Sequence, residues 1–477
     1  MRKVAFLLTW TGVVCLGWRG SLADITTFEG SPWDRNLGQC LRLADFNGDG
    51  VLDIVASAPY ADVPGKPWAG AVYILEGGLQ LQEKMAEEKA WKTVFRILGE
   101  EPYGSFGLSL ACGDLNGDGC DDLVVGAPYS GHAWAGSVHV ILGRPGPIVG
   151  TWPLSACEGR ITVMGAFPNM KLGTLVGCGD MDGDGLDDLA FTSPGYQLRS
   201  LAHGCVMVIL GKNLLNDTEW RMESDPVDAL YYAFREKFDL VESMAFVDTE
   251  GRGKETLFLG IPTAAVRGEM GLGKVLGLQY DPMVPAVDVE AEGADWIYVG
   301  APETKGLGSC LLACDLEGDG AHELVVGATR VRSPKGVVGA FYLFATGSTE
   351  HWVECIHMGE PYGATGGSAA VGDLNANGKL DLLVGAPGED LTSRKKDAGI
   401  VYWMADLFSS LQEEGGGDRS GAPAEILVGV QGYGNLGQTL VVGDVSGDGR
   451  EDLVTGAPGF AHTGDRDGGH LVLLLTH

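Results

Sequence analysis

The chain has 477 residues, 45% of them hydrophobic, which is enough for a sizeable core. Its net charge of −31 argues against nucleic acid or an anionic membrane surface as a partner. The 75 glycines follow no collagen-like period and mark a fold with many tight turns.

Residues 1–23 read as a secretory signal peptide. Arg2 and Lys3 form a basic start, Val4 to Trp18 an apolar run, and Ser21-Leu22-Ala23 a small-residue cleavage site. A signal anchor is the alternative, although the run is short for a membrane span. Cleavage removes Arg2, Lys3 and Arg19 and takes the net charge from −31 to −34. No later stretch reads as a membrane span. Ten cysteines include Cys15 in the leader, and the odd nine that remain leave at least one thiol unpaired in a monomer. Cys112 and Cys178 stand two residues before equivalent loops, and Cys40 and Cys310 five residues before theirs. This favours buried small residues over a disulfide framework. Asn216-Asp217-Thr218 is a glycosylation sequon in a polar connection.

From residue 24 onwards one pattern repeats, most clearly from Phe106 to Pro128. A strand, Leu108–Cys112, leads into a nine-residue acidic loop, Asp114–Asp122, and then a second strand, Leu123–Ala127. Asp114, Asn116, Asp118 and Asp122 occupy loop positions 1, 3, 5 and 9, with the Cys120 carbonyl at position 7. Hard oxygen donors at odd positions, with glycines allowing the bend, predict a calcium loop between two strands. Seven copies begin at Asp45, Asp114, Asp180, Asp248, Asp315, Asp373 and Asp444, spaced 69, 66, 68, 67, 58 and 71 residues apart.

The copies differ in donors. The first offers Asp45, Asn47, Asp49 and Asp53 with the Val51 carbonyl. The third offers Asp180, Asp182, Asp184 and Asp188 with Leu186, and its four aspartates predict the tightest site. The fifth has Asp315, Glu317, Asp319 and Glu323 with Ala321; the seventh has Asp444, Ser446, Asp448 and Asp452 with Arg450. The sixth, Asp373, Asn375, Asn377 and Asp381 with Lys379, has two charges and predicts weaker binding. In the fourth, Arg252 replaces the position-5 donor and Thr256 the closing carboxylate. There the guanidinium, placed between Asp248 and Glu250, would supply the positive charge, and no metal is expected. The alternative for the whole set is acidic turns without metal. Up to six structural calcium sites are predicted, with affinities near the ~10⁻⁴–10⁻³ M of extracellular modules.

Each loop is followed by an apolar run that ends in a turn such as Gly126-Ala127-Pro128, or Gly327-Ala328-Thr329 in the fifth copy. A glycine-led strand comes next (Gly70–Leu75, Gly136–Leu142, Gly204–Leu210, Gly273–Leu278, Gly339–Phe344, Gly399–Met404, Gly469–Leu475), then a fourth strand. The fourth strand of the third copy is indistinct and falls within Ala229–Phe234; Glu76–Trp91 carries a helical turn, and Ala405–Ala424 is a surface loop. Ile25–Phe28 matches a fourth strand, while the last copy ends on a third. The N-terminal strand therefore completes the last sheet and closes a ring, which leaves no open edge. Residues 24–477 are predicted to be all-β, a seven-bladed β-propeller. A linear solenoid is the alternative, and it gives no reason for the offset ends.

The residues Phe106-Gly107, Asp114–Asp122 and Gly126-Ala127-Pro128, with weaker copies elsewhere, resemble the FG-GAP repeats of integrin alpha-subunit propellers. They also resemble those of the glycosylphosphatidylinositol-specific phospholipase D propeller. Resemblance to integrins implies ligand and subunit contacts on the face opposite the calcium loops. The phospholipase resemblance implies a propeller serving a hydrolase. No integrin leg or membrane helix and no histidine-rich zinc domain is read in the sequence, so a propeller on its own is expected. His139 and His203 read as structural. The face opposite the loops collects Trp33, Tyr60, Trp68, Tyr103, Tyr129, Trp134, Tyr196, Tyr362 and Tyr433. Such aromatics suit a binding surface. Their recurrence, Trp68-Ala69-Gly70 and Trp134-Ala135-Gly136, favours packing between neighbouring blades. The function expected is a secreted or cell-surface calcium-binding module for a protein or glycan partner, without catalysis.

Overall fold

The computed structural model describes residues 13–15, 24–31, 33–86, 90–92, 94–196, 204–232, 241–265, 269, 271–289, 293–302, 304–316, 318–333, 336–344, 353–358, 365–390, 396–406, 424–429, 432–459, 461–462 and 466–476. The predicted surface loop at 407–423, His203, Glu317 and Tyr362 lie outside them.

Seven antiparallel sheets form a ring, a β-propeller. Blade two shows the plan. Ser109–Gly113 is innermost, followed by Asp122–Ala127, Ser137–Ile141 and Ile161–Met164. Neighbouring innermost strands touch all the way round, and blade seven meets blade one. Closure is as the sequence predicts. Asp24–Glu29 pairs antiparallel with His470–Leu475 as the outermost strand of blade seven. The indistinct fourth strand of blade three is Ala229–Tyr232, and the connection in blade one carries the helix Leu81–Ala86.

The second strand of a blade is covered by neighbours on both faces, so it reads as a continuous apolar run. Asp53–Ala58, Asp122–Ala127 and Asp188–Ser193 are buried throughout. Each core lies at a joint between blades: Phe28, Leu37, Val454 and Leu471 pack with Ile54 and Tyr73 where blade seven meets blade one.

The repeated motif makes these joints. Phe106 N–H donates to the Ala69 carbonyl at 3.1 Å, and a Cβ on Gly70 would stand 2.1 Å from the Phe106 carbonyl oxygen. A Cβ on Gly126 of the Gly-Ala-Pro turn would stand 2.1 Å from the Gly173 carbonyl oxygen of the next blade. Only glycine admits the neighbouring backbone this closely.

Three features depart from the sequence reading. Connections between third and fourth strands reach back to the preceding blade. Gly150–Pro153, Glu219–Arg221 and Ala286–Asp288 add parallel fifth strands to blades one, two and three and cover their outer edges. In blade five the expected turn at Gly327-Ala328-Thr329 is absent. Thr329 stands where other blades have proline, the ladder passes it with a register shift between Ala328 and Val331 instead of a turn, and the strand runs from Glu323 to Ser333. Val13–Cys15, inside the predicted leader, pairs antiparallel with Leu427–Gly429 at the edge of blade six.

Candidate metal loops and the opposite face

The acidic loops join first to second strands, so antiparallel order puts all seven on one face of the ring. Each is shaped by its own carboxylates. Asp114 Oδ1 accepts from Gly117 N–H at 2.7 Å and Asp118 N–H at 3.2 Å, and Oδ2 from Gly119 N–H at 3.0 Å. Asn116 accepts from Asp118 N–H at 2.8 Å, and Asp118 from Cys120 N–H at 2.9 Å. Asp45, Asn47 and Asp49 repeat this in the first loop, with Val51 N–H donating to Asp49 at 2.9 Å. Asp180, Asp182 and Asp184 repeat it in the third, where Leu186 N–H donates to Asp184 at 3.1 Å. Equivalent bonds join Asp319 to Ala321, Asn377 to Lys379 and Asp448 to Arg450, each at 2.9 Å. Asp315, Asp373 and Asp444 head their loops in the same way.

Position 9 works as a pin. Asp122 accepts from Leu115 N–H at 3.1 Å and from Gly143 N–H, just past the third strand, at 2.8 Å. Asp53, Asp188, Asp381 and Asp452 likewise accept from Gly77, Gly211, Asp406 and Thr476. Glu323 holds Leu316 N–H at 2.9 Å. Burial, reinforced by neighbouring loop carboxylates, pushes Asp53, Asp122 and Asp188 up to about 7 and Asp452 to about 6. Clustered carboxylates lifted in this way suit a hard divalent cation, which would relieve their repulsion. Among the described residues, three carboxylates converge in the third loop, where oxygens of Asp180, Asp182 and Asp188 lie within 4.8 Å of one another.

The fourth loop differs from its prediction. Arg252 pairs outward with Glu250 at 2.8 Å and is largely exposed. Burial would raise the Asp248 carboxyl, but amides of Gly253, Arg252, Glu250 and Gly251 hold it below its ordinary value. Backbone amides, rather than the guanidinium, satisfy Asp248.

Two sets of residues escaped the sequence reading. At position 8, Asp121 accepts from Asp45 N–H of the preceding blade at 2.8 Å and donates its own N–H to the Asp45 carbonyl at 2.9 Å. Glu255 makes the same pair of bonds with Asp180. The head of one loop is thus clamped by the next blade, and burial lifts Glu255 to about 7. The second is Lys212, whose ammonium pairs with Asp182 and lies 3.2 Å from Asp184 Oδ2. Each partner is about thirty residues or more away in sequence, so local spacing gives no sign of it.

The opposite face carries the aromatics. Trp33, Trp68, Tyr103, Trp134 and Tyr433 are 43–62% exposed, whereas Tyr60, Tyr129 and Tyr196 are half-buried. Tyr60, Trp68 and Tyr103 make an edge-to-face row with centroids 6.0 and 5.9 Å apart, and Tyr129 meets Trp134 at 6.4 Å. The blade joint beneath is made by backbone: Tyr103 and Ser105 N–H donate to the Pro67 and Trp68 carbonyls at 2.8 and 3.1 Å. The row crosses this joint, so the packing reading holds in part while much ring surface stays open. Phe167, 52% exposed on the same face, was missed.

His139 is half-buried between Ser137 and Thr162 hydroxyls, and loss of hydration, helped by Arg160, pushes its imidazole down to about 3. The ring is held neutral between blade strands. Cys40, Cys112, Cys120, Cys157, Cys178, Cys205, Cys310 and Cys314 are unpaired. No described helix is long and apolar enough to cross a membrane.

Comparison with known proteins agrees with this architecture. The FG-GAP repeat family matches residues 41–75, 106–141, 365–402 and 436–474, in blades one, two, six and seven. Integrin alpha-PS2 of Drosophila melanogaster is 38% identical over 179 residues, 36% of this chain and 12% of its own. Phosphatidylinositol-glycan-specific phospholipase D of Dictyostelium discoideum is 25% identical over 307 residues, 60% of this chain and 31% of its own. The Rattus norvegicus phospholipase D is 34% identical over 194 residues, covering 39% and 22%. The chain therefore spans less than a third of the length of these relatives. The chain is a seven-bladed propeller that carries FG-GAP repeats at these four stretches and is similar to regions of the integrin alpha and phospholipase D chains.

Proposed function

We propose that the chain is a secreted or cell-surface propeller that binds calcium on one face and a protein or glycan partner on the other, without catalysis. The observation that carries this reading is the division of labour between the faces. Carboxylates converge on one, and an edge-to-face row of aromatics, with Trp68 and Tyr103 exposed, lies on the other. Rings held by a rigid scaffold bind with little loss of conformational freedom.

The metal-holding residues would be the carboxylate, amide and hydroxyl oxygens at positions 1, 3, 5 and 9 of six loops, with the position-7 carbonyls. Calcium would neutralise each loop and clip two strands, a structural role. A leader at 1–23, as expected from the sequence, would support export, and exposed Asn216 suits a glycan.

The test is binding of the purified chain to glycan arrays and to immobilised extracellular-matrix proteins, compared with the Trp68→Ala/Trp134→Ala variant. Lost binding with an unchanged melting temperature supports the ligand face. Lost folding returns these rings to a packing role. A second reading, a module of a phospholipase D-like hydrolase, is favoured by the 60% of this chain aligned with the Dictyostelium discoideum protein. Release of glycosylphosphatidylinositol-anchored protein by the purified chain would establish it over the non-enzymatic reading.

A further inference from the structure

The third loop has four aspartates, three of whose carboxylates converge, yet it already holds a cation of the chain's own. Lys212 follows Gly211, whose N–H is fixed to Asp188 Oδ1 at 2.9 Å, so the lysine stem starts at the loop's closing carboxylate. Its ammonium reaches Asp182 and Asp184 Oδ2. Asp184 Oδ1 and Asp182 Oδ1 are meanwhile engaged by the Leu186 and Asp184 amides. The lysine thus faces the oxygens left over after the loop has shaped itself. The same backbone position in blade two is Arg144, after Gly143, whose N–H bonds Asp122 at 2.8 Å. Arg144 turns away and lies over Trp152, 5.0 Å from the ring centre. A basic residue there is therefore not bound to enter its loop. In blade three it does.

Resting on the calcium reading above, we propose that Lys212 is a tethered competitor for the third loop. Its ammonium balances the charge of Asp182 and Asp184 in the cation-free chain and must swing away before a divalent cation binds. The side chain is 47% exposed, so the path to solvent is open. The third loop then binds more weakly than its four aspartates would dictate, and it fills at a higher calcium concentration than the first two.

Calorimetric titration of the full chain with calcium tests this. Lys212→Met should tighten one site about fivefold, the upper range for an exposed ion pair. Lys212→Arg, which keeps the competing charge, should bind as the parent does. Lys254→Met should also leave affinity unchanged; it removes an equal charge near the loop, where Lys254 Nζ donates to the Tyr280 carbonyl at 3.5 Å. The gain should vanish when Asp184→Asn is added to Lys212→Met. An unchanged affinity in Lys212→Met, or an equal gain in Lys254→Met, overturns the competitor while leaving calcium binding intact. Absence of calcium uptake by parent and variant alike overturns both.

Discussion

Position 4 of the acidic loops turns through left-handed backbone. Gly117 has φ 74° and Gly183 φ 78°, but the sixth loop places Ala376 there at φ 53°. A Cβ in this region costs about 1–2 kcal/mol. Ala376→Gly should therefore raise stability by about 1 kcal/mol after the added freedom of the unfolded chain is subtracted, measured by denaturant unfolding in chelator. The position-9 carboxyls give a second prediction. Asp53, Asp122 and Asp188 titrate near 7 in the fold, well above the ordinary carboxylate range of the unfolded chain. A raised folded value means that their contribution is fully present below about pH 4 and is lost as pH rises through about 7. In chelator, melting temperature should fall from about pH 5 to about pH 8. Bound calcium favours the carboxylate, so the gap between calcium and chelator should widen over the same range. A gap independent of pH would contradict this. Donor spacing was legible in sequence because it is local. Glu255 on Asp180 and Lys212 on Asp182 were not, because the fold brings them together from 75 and 30 residues away.

At the scale of elements, strand order was legible from periodicity and turns. The covering strands at 150–153, 219–221 and 286–288 were not. They are three or four residues long, and each exists by pairing with the neighbouring blade. Ring closure rests on more than strand pairing. Past the N-terminal strand, buried Asp34 pairs with Arg96 of blade one, accepts from Tyr73 Oη and accepts from Ser31 N–H at 2.5 Å. Arg96 also lies 5.1 Å over the Tyr73 ring. Asp34→Ala would strand a buried guanidinium, and we expect a loss of about 3–5 kcal/mol in denaturant unfolding. A loss below about 1 kcal/mol would mean that the backbone ladder alone holds the closure.

At the scale of the whole molecule, seven offset repeats determine a closed ring, and the ring separates two chemistries onto two faces. The period made the architecture legible before any contact was known. It could not show which aromatics stay open, because exposure depends on how backbone closes the joint beneath them. The acidic face defines the central claim, a propeller clipped by calcium. With affinities near ~10⁻⁴ M, about 2 mM calcium would stabilise each occupied loop by about 1–2 kcal/mol. Five or six occupied loops would raise the melting temperature of a chain this size by roughly 5–10 °C. Thermal unfolding in calcium and in chelator measures this directly. A rise of that order, saturating with calcium, is the predicted result, and an unchanged melting temperature would reduce the loops to acidic turns and contradict the account.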